Sequence, residues 1–377
     1  MNSKIWLSSP HMGGNELRYI HEAFDSNWVA PLGPNVNSFE EDLEKFLQQD
    51  IKVAALSAGT SALHLALIEC GVGYGDEVIC QSMTFSASAN PIAYCGAIPV
   101  FVDSEIETWN ICPIALEEAI VDRISKGVKP KAIIAVHLYG MPYKVDEVNG
   151  IADKYDIPII EDAAESLGST YKNIATGTFG KYGALSFNGN KIITTSGGGA
   201  LICQSNLEKE RIVFLATQAR DDAPHYQHSH VGYNYRMSNI VAGIGRGQME
   251  VLEDRINARR AMNKFYQDLF ASINGVEVFK EPSNDFYSNH WLSAILIDSK
   301  VTDKTREDLR LAFLEDNIES RPLWKPMHLQ PIFENCSYYG GNVSERLFEN
   351  GLCLPSGSNL TDQDKFRISK VVLDFFK

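Results

Sequence analysis

Short apolar runs alternate with amphipathic stretches over much of the chain, and this alternation constrains the fold more than any other feature. The runs are rich in small and β-branched residues, as buried strands are. They lie at residues 53–56, 77–80, 98–102, 132–136, 157–160, 183–187 and 199–203. Helical patterns occupy residues 61–70, 86–94 and 114–125. Strands that alternate with helices are typical of βαβ units, so the sequence predicts an α/β fold with a mostly parallel sheet.

The alternation of short apolar runs and amphipathic stretches ends near Met249. A long charged stretch at residues 250–260 is typical of an exposed helix, and it leads to an apolar run at residues 291–297. At 377 residues the chain is longer than one small core requires. We therefore expect a large domain at residues 1–248, whose N-terminal segment lines the substrate site, and a smaller C-terminal domain at residues 249–377.

The composition argues against several classes of protein. The net charge is −14, and no stripe of Lys and Arg is interleaved with aromatic residues, so we expect no nucleic-acid partner. An acidic surface also repels membranes, and no stretch reaches ~18 uninterrupted apolar residues. The seven cysteines are scattered without C-x-x-C spacing, which is typical of reduced thiols. These features predict a cytoplasmic protein without a membrane segment.

Three histidines at residues 225–230 resemble a metal cluster only superficially. No acidic or cysteine side chain lies nearby at a spacing that metal ligands require. We interpret this tract as a mobile loop and expect no metal site.

Lys191 and Asp162 are the strongest candidates for chemistry. Lys191 lies in a stretch of small residues between two strand-like runs, and Asp162 follows an earlier run, so both can converge at one edge of the sheet. A primary amine forms a Schiff base with pyridoxal phosphate, and a carboxylate beside the pyridine nitrogen keeps that nitrogen protonated. Strand alternation sends only one of Glu161 and Asp162 toward a given face. A solvated lysine and a surface aspartate are the alternative interpretations.

A small turn at Gly59 and Thr60 opens into a helix and is a candidate phosphate site, because free N–H groups and the helix dipole favour an anion. Ser186 precedes Lys191 by five residues and can add a hydroxyl. Phe85 follows another strand and can stack on a pyridine ring. Alternatively, Thr60 is an ordinary N-cap, Phe85 is a core residue, and the glycines at 197–199 form a flexible hairpin turn.

Three motifs together resemble the DegT/DnrJ/EryC1/StrS family of nucleotide-sugar aminotransferases. They are SAGTSAL at residues 57–63, EDAAESLG at 161–168 and SFNGNK at 186–191, and the likeness extends from about Pro10 to Gly357. The resemblance implies a fold-type I, aspartate aminotransferase-like enzyme that uses pyridoxal phosphate. Such an enzyme has a large domain with a mostly parallel central sheet and a smaller C-terminal α+β domain.

The resemblance also implies a role for each residue of the cofactor site. Lys191 forms the Schiff base, Asp162 pairs with the ring nitrogen and Phe85 lies on the ring face. The implied phosphate contacts are Gly59, Thr60 and Ser186. Glu165 is expected near the cofactor's hydroxyl, although many relatives carry Gln or His at this position. In this family two subunits share each site, so the resemblance implies a homodimer in which Asn234 reaches the neighbour's phosphate; a packed interdomain turn is the alternative.

Within the family, residues 8–16, 30–34 and 321–328 most resemble the 4-aminotransferases of the bacillosamine pathway. This implies transfer of the amino group of L-glutamate, which becomes 2-oxoglutarate, to C4 of a UDP-linked 4-keto-6-deoxy sugar. The GDP-perosamine synthases are the nearest alternative. Candidate substrate contacts are His11, Trp28, Arg321, Lys325 and His328, for each of which a structural role is the competing interpretation.

Two other functions compatible with the same fold are disfavoured by Lys191. Dehydratases of this fold carry histidine at that position. A non-catalytic binding or regulatory protein would be expected to have lost Lys191, Asp162 or Ser186, and all three are present.

Overall fold

The apolar runs form one eight-stranded sheet in the computed structural model, which describes residues 2–377. Numbered along the chain and given in spatial order, its strands are β1 (Lys52–Leu56), β9 (Gly199–Cys203), β8 (Tyr182–Ser186), β5 (Ile159–Asp162), β4 (Ala132–Val136), β2 (Glu77–Gln81), β3 (Ile98–Val102) and β14 (Tyr338–Tyr339). Strand β9 pairs antiparallel with β1 and β8, and all other neighbours pair in parallel. The predicted mostly parallel sheet is confirmed.

Helices cover both faces of this sheet. The helices are α1 (Glu16–Asp25), α2 (Pro34–Leu47), α3 (Gly59–Glu69), α4 (Ser86–Tyr94), α5 (Pro113–Ser125), α6 (Val145–Tyr155), α7 (Asn206–Ala216), α8 (Asn239–Met249), α9 (Leu252–Phe270), α10 (Ser299–Thr302), α11 (Arg306–Glu315), α12 (Val343–Asn350) and α13 (Asp362–Phe375). Ala54 and Leu56 are buried among residues of α3, α4 and α7, whereas Val53 and Ala55 face α2 and α8. Strands buried on both sides are apolar throughout, which explains the continuous runs. Between residues 2 and 377, none of the helices has both the length and the apolar character that crossing a bilayer requires.

A second, antiparallel sheet is formed by the C-terminal part of the chain. In spatial order its strands are β10 (Val276–Val278), β12 (Ser293–Ile297), β15 (Gly351–Leu354) and β13 (Arg321–Pro322), and α9, α11 and α13 share its core. Two segments link it to the rest. Ile5 packs in this core through a bridge to Ile318, while β14 joins the central sheet. The division at residues 248 and 249 stays a prediction.

Three short strands connect the two parts of the chain beside the central sheet. They are β11 (Phe286–Tyr287), β6 (Thr170–Tyr171) and β7 (Ile174–Ala175), with β6 in the middle. Residues that follow β5 in sequence therefore pair directly with the segment that leads into β12. This connection brings the loop after Asp162 close to the second sheet.

Several element boundaries differ from the sequence prediction by one or two residues, and two of these differences matter for the site. Strand β5 begins after Pro158 and continues through Asp162, because Asp162 pairs with Val136 of β4 and with Ala184 of β8. Helix α3 begins earlier than predicted, at Gly59. Asp162 and Gly59 consequently both lie at the carboxyl edge of the central sheet.

The seven cysteines are all free. Burial raises the pKa of the Cys70, Cys203 and Cys353 thiols to about 12. Because the thiolate is the reactive form, these three side chains behave as buried apolar groups at neutral pH.

Candidate active site

A cavity of about 280 Å³ opens at the carboxyl edge of the central sheet. This is where open α/β sheets bind their ligands, because the loops that follow parallel strands diverge there. The cavity is lined by residues that follow β1, β2, β4, β5 and β8. All the cofactor contacts that the resemblance implies lie around it except Asn234: Gly59, Thr60, Phe85, Asp162, Glu165, Ser186 and Lys191.

A wider cleft of about 860 Å³ lies beside β6 and β11. It is lined mainly by polar side chains, and its Arg260 and Glu281 form an ion pair at 2.7 Å. Arg260 is thus engaged by Glu281, and no lysine of residues 2–377 lines this cleft. The smaller cavity, which holds the lysine, is the better candidate for chemistry.

The start of α3 is open to an anion. Its N-cap residue is Ala58, and no side chain within residues 2–377 caps the helix. Thr60 is therefore not the N-cap, which was the alternative interpretation. The N–H groups of the first turn are left for another acceptor, and the dipole adds positive potential. Ser186 lies directly opposite, since a β-carbon on Gly59 would come within 3.0 Å of the Ser186 β-carbon. A phosphate fits this position.

The glycines at 197–199 allow close packing more than they allow a turn. A β-carbon on Gly199 would overlap the Ala58 carbonyl carbon and the Gly59 nitrogen, so β9 can pass the start of α3 only with glycine here. The left-handed backbone in this loop belongs instead to Ser196, with φ 75°.

Asp162 is held in place by a short chain of hydroxyl groups. Ser88 Oγ donates to Asp162 Oδ2 at 2.6 Å and lies 2.6 Å from Thr84 Oγ1. The Ala164 N–H donates to the other carboxylate oxygen at 3.2 Å. The Asp162 side chain lines the cavity, and these donors fix the orientation of its carboxylate.

The neighbouring acid, Glu161, points away from the cavity, as strand alternation requires. It is fully buried and accepts hydrogen bonds from the N–H groups of Gly177, Phe179 and Gly180. His137 Nε2 lies 2.8 Å from the same carboxylate. Glu161 therefore holds the loop before β8, and only Asp162 of the pair is available to a ligand.

The Lys191 amine lies between an aromatic ring and a buried acid. Its side chain is 12% exposed, and Nζ lies 4.2 Å from the centre of the Trp291 ring and 3.6 Å from Glu165 Oε1. The Tyr139 N–H donates to Glu165 Oε2 at 2.7 Å. Burial raises the pKa of Glu165, although Lys191 and the Tyr139 N–H oppose this shift. The amine thus has an aromatic ring and a carboxylate as close neighbours.

Two tryptophans line the cavity but were not predicted from the sequence as site residues. Trp291 begins an apolar run and was interpreted only as strand, and Trp324 lies between Pro322 and Pro326 in the segment where only charged residues were selected. The Trp324 ring centre lies 5.5 Å from that of Phe85, which is 53% exposed and therefore not a core residue. A large aromatic residue in a segment stiffened by prolines was the available signal for Trp324.

None of the predicted substrate contacts lines this cavity within one chain. His328 is held by Ser82 Oγ at 2.7 Å and stacks on Tyr338, with ring centres 3.8 Å apart. Arg321 pairs with Glu319 at 2.8 Å. The contacts of His328 anchor the segment that carries Trp324, whereas the Arg321–Glu319 pair is local to one stretch of the chain. Lys325 is exposed.

The N-terminal candidates lie on a segment that is tied to the lysine loop. Ser8 Oγ donates to the Asn190 carbonyl at 2.7 Å, one residue before Lys191. Farther along the segment, His11 Nδ1 lies 3.1 Å from Ser358 Oγ, and burial lowers the pKa of this imidazole. Trp28 is exposed. The substrate roles of these residues stay predictions.

Asn234 is exposed and lies outside the cavity of its own chain. Its neighbours Tyr233 and Tyr235 stack on each other at 5.0 Å, and both pack against His64 of α3. The Asn234 segment is therefore fixed to the same helix whose start faces the cavity. Its contact with a second subunit stays a prediction.

The groups around the cavity fit pyridoxal phosphate. An uncapped helix start with a serine opposite suits the phosphate, a hydrogen-bonded carboxylate suits the pyridine nitrogen, and a lysine amine suits the aldehyde. The fold and the site thus define a lysine-dependent, pyridoxal phosphate-binding enzyme class.

The chain belongs to the DegT/DnrJ/EryC1/StrS aminotransferase family, whose sequence profile matches residues 10–373. It is 50% identical to EpsN of Bacillus subtilis (strain 168), over 100% of this chain and 97% of that protein. The name of EpsN describes it, provisionally, as a pyridoxal phosphate-dependent aminotransferase. It is 37% identical to a GDP-perosamine synthase of Escherichia coli O157:H7, over 99% and 98% of the two chains. A crystal structure of a DegT DnrJ EryC1 StrS aminotransferase from Brucella abortus superposes with a TM-score of 0.88 at 30% identity, covering 96% of this chain and 95% of the other.

These similarities confirm the fold, the cofactor and the class of reaction expected from the sequence. The protein is a sugar aminotransferase that uses pyridoxal phosphate. The closer likeness to bacillosamine-pathway enzymes is not shown, because the relatives described above have other names.

Proposed function

We propose that this enzyme transfers the amino group of L-glutamate to C4 of UDP-2-acetamido-2,6-dideoxy-hexos-4-ulose. The products are 2-oxoglutarate and a UDP-4-amino-4,6-dideoxy-N-acetylhexosamine of the bacillosamine type, for use in glycan biosynthesis. The observation that carries the transamination part is the position of the Lys191 amine, in one cavity with Asp162 and the open start of α3.

Each residue of the cavity has a separate part in this proposal. Pyridoxal phosphate, when bound, supplies an electron sink that lets a proton leave the carbon bearing the amino group. Lys191 Nζ takes that proton and returns it, as a general base and then a general acid. Asp162 would hold the pyridine nitrogen, and Gly59, Thr60 and Ser186 would hold the phosphate. Phe85 and Trp324 cover one side and help to exclude water.

The choice of a UDP-linked sugar rests on the N-terminal segment and on the segment with Trp324. The sequence of residues 8–16, 30–34 and 321–328 was interpreted as resembling bacillosamine-pathway enzymes, and the proposal keeps this interpretation. Ser8 contacts the carbonyl of Asn190, beside Lys191, and Trp324 lines the cavity. Both segments therefore lie beside the lysine, where we expect the substrate to bind. His11, Trp28, Arg321 and Lys325 remain the proposed contacts of the nucleotide or sugar, and His328 the anchor of the second segment.

A GDP-linked 4-keto sugar is the second candidate substrate. It is supported by the 37% identity to GDP-perosamine synthase over almost the full length of both chains. Both candidates are 4-keto-6-deoxy sugars, so the nucleotide and the substituent at C2 distinguish them.

We further propose a homodimer whose two active sites are shared. Asn234 is exposed beside its own cavity, which is the arrangement expected if it serves the neighbouring site. The apolar side chains of Trp28, Val29 and Leu32 are also exposed. Asn239, at the start of α8, donates to the Trp28 carbonyl at 3.0 Å, so this apolar stretch lies close to the segment with Asn234. A second copy of the chain would bury it.

An assay with two purified sugars tests the proposed reaction. The enzyme is incubated with pyridoxal phosphate, L-glutamate and either the UDP-linked or the GDP-linked 4-keto sugar, and 2-oxoglutarate is measured. We expect turnover with the UDP sugar. Lys191→Ala should abolish it, because no other amine can bond the cofactor there, whereas Lys264→Ala, at an exposed helix position, should not change it.

The outcomes of this assay separate the parts of the proposal. Turnover of the GDP sugar alone would overturn the assignment of the nucleotide but keep the transamination. A wild-type protein that stays colourless after addition of pyridoxal phosphate would overturn the role of Lys191 as well.

A further inference from the structure

Asn289 is a fully buried amide near Lys191, and it links the loop after β5 to the segment that leads into β12. Its Nδ2 donates to the carbonyls of Glu165 at 3.0 Å and of Leu167 at 2.9 Å, both in the loop after β5. Its Oδ1 accepts the N–H of Trp291 at 2.8 Å, at the entrance to β12. One side chain thus fixes two loops that come from different sheets.

On the side of the second sheet, Asn289 sets the direction of Trp291. The bond from its side chain to the N–H two residues later forms an Asx turn, and His290 between them adopts a left-handed conformation with φ 47°. This turn directs the Trp291 ring toward Lys191 Nζ, 4.2 Å away. The indole N–H is fixed in turn by the Asn190 carbonyl at 2.8 Å.

On the side of the central sheet, Asn289 holds the backbone that carries Glu165. The Glu165 carboxylate faces Lys191 Nζ at 3.6 Å. The segment after β4 also packs closely against this side chain, since a β-carbon on Gly140 would overlap Asn289 Oδ1. Ser169 Oγ adds a further tie, because it accepts the Asn289 N–H at 2.9 Å and donates to the Gly140 carbonyl at 2.7 Å.

We propose that Asn289 is a positioning residue that holds Glu165 and Trp291, the two groups facing the Lys191 nitrogen, at a fixed distance from each other. It does not line the cavity and contacts no ligand itself. Its function is to keep the amine aimed at the aldehyde of the cofactor. The inference rests on the proposed role of Lys191, and its consequence is specific: loss of Asn289 impairs bond formation by the amine without impairing the phosphate and ring contacts.

Two cofactor forms distinguish these effects on the full-length protein. Pyridoxamine phosphate has no aldehyde, so it reports the phosphate and ring contacts alone, whereas pyridoxal phosphate also reports the amine. For Asn289→Asp, which keeps the acceptor for Trp291 but loses both donors, we expect the rate of covalent capture of pyridoxal phosphate to fall about tenfold. The affinity for pyridoxamine phosphate should stay within about twofold of wild type. Capture is followed by visible absorbance and by borohydride trapping at Lys191.

Asn263→Asp is the matched control. Asn263 is also a buried amide in this part of the chain, and it donates to the Phe279 carbonyl at 3.1 Å rather than to the loop of Glu165. Its replacement should lower stability without slowing capture. If Asn289→Asp does not fold, Asn289→Ser replaces it, because a serine can still cap the turn but cannot reach both carbonyls.

Three results would overturn the proposal. They are unchanged capture in the Asn289 variant, equal slowing in the Asn263 variant, and a parallel loss of affinity for pyridoxamine phosphate. Absence of covalent capture in the wild type would instead contradict the proposed function itself.

Discussion

At the scale of single residues, neighbouring glycines have different roles. A β-carbon on Gly199 would overlap the start of α3, whereas one on Gly197 would have no neighbour within 4 Å. Both lie in the triple glycine that the sequence presents as one feature. Only the packing shows that Gly199 lets β9 pass the start of α3, whereas Gly197 lies in open space.

Gly199→Ala and Gly197→Ala form a matched pair. We expect Gly199→Ala to destabilise the protein by about 1–3 kcal/mol, because the added methyl group forces α3 or β9 to move. Gly197→Ala should change stability by less than about 1 kcal/mol. Urea unfolding of the cofactor-free proteins measures both, and equal effects of the two substitutions would contradict the packing explanation.

At the scale of elements, Asp103 ties the short edge strand β14 and helix α12 to the end of β3. Its carboxylate accepts the N–H groups of Ser104 at 2.8 Å, Gly341 at 3.1 Å, Val343 at 2.9 Å and Ser344 at 2.9 Å. Burial alone would raise the pKa of Asp103, but the hydrogen bonds from Ser344, Val343 and Ser104 outweigh it and lower the pKa below the usual 3.8. The ionised carboxylate therefore stabilises the attachment of the C-terminal segment.

This tie predicts a pH-dependent effect of Asp103→Asn. Because the pKa is lower in the folded protein than in the unfolded chain, the stabilisation is present above the unfolded value of 3.8 and is lost as the pH falls through the folded value. At pH 7 the substitution should cost about 1–3 kcal/mol, and the difference from wild type should shrink below about pH 4. Urea midpoints at both pH values measure this.

Asp76→Asn is the control for that experiment. Asp76 accepts one hydrogen bond, from the Gly73 N–H at 2.9 Å in a turn, so its replacement should have a smaller effect. A loss for Asp103→Asn that is independent of pH would contradict the role of the ionised carboxylate.

At the scale of the whole molecule, Lys191 lies where the two sheets meet. Glu165 comes from the loop after β5, Trp291 from the entrance to β12, and Ser8 from the N-terminal segment that packs on the second core. Any movement between the two parts would change the surroundings of the amine. In the proposed dimer, the partner's Asn234 would add a contact to the phosphate.

Mixing two inactive variants tests the shared site. In a dimer of one Lys191→Ala chain and one Asn234→Ala chain, one site has its own Lys191 and the partner's Asn234, and the other site lacks both. We expect each variant alone to be strongly impaired and the reassociated mixture to recover roughly a quarter of wild-type activity, since about half of the dimers are mixed and each has one intact site. A mixture whose activity is only the mean of the two separate variants would contradict sharing.

Much of the central sheet and of the cofactor site was predictable from the sequence, because their signals are local. Continuous apolar runs specify strands buried on both faces, and the runs at 98–102, 132–136 and 199–203 match β3, β4 and β9 residue for residue. Lys191, Asp162 and Ser186 were predictable because each chemical task requires one kind of side chain next to a strand end. The phosphate site at the start of α3 was suggested by the small turn at Gly59 and Thr60, but the sequence left open whether Thr60 caps the helix.

Only the tertiary structure decided which side chains surround these groups. Trp291 contacts Lys191, and Tyr139 and Asn289 hold the neighbours of Lys191, all from positions far apart in the chain. No local pattern marks such contacts. For the same reason, the sequence does not show that the ring of His328, which was predicted as a substrate contact, stacks on Tyr338. The sequence by itself determined the central sheet and the candidates Lys191 and Asp162, because hydrophobic periodicity and the choice of side chain for a chemical task are local properties of the chain. The walls of the site were decided by long-range packing, which depends on the whole fold at once.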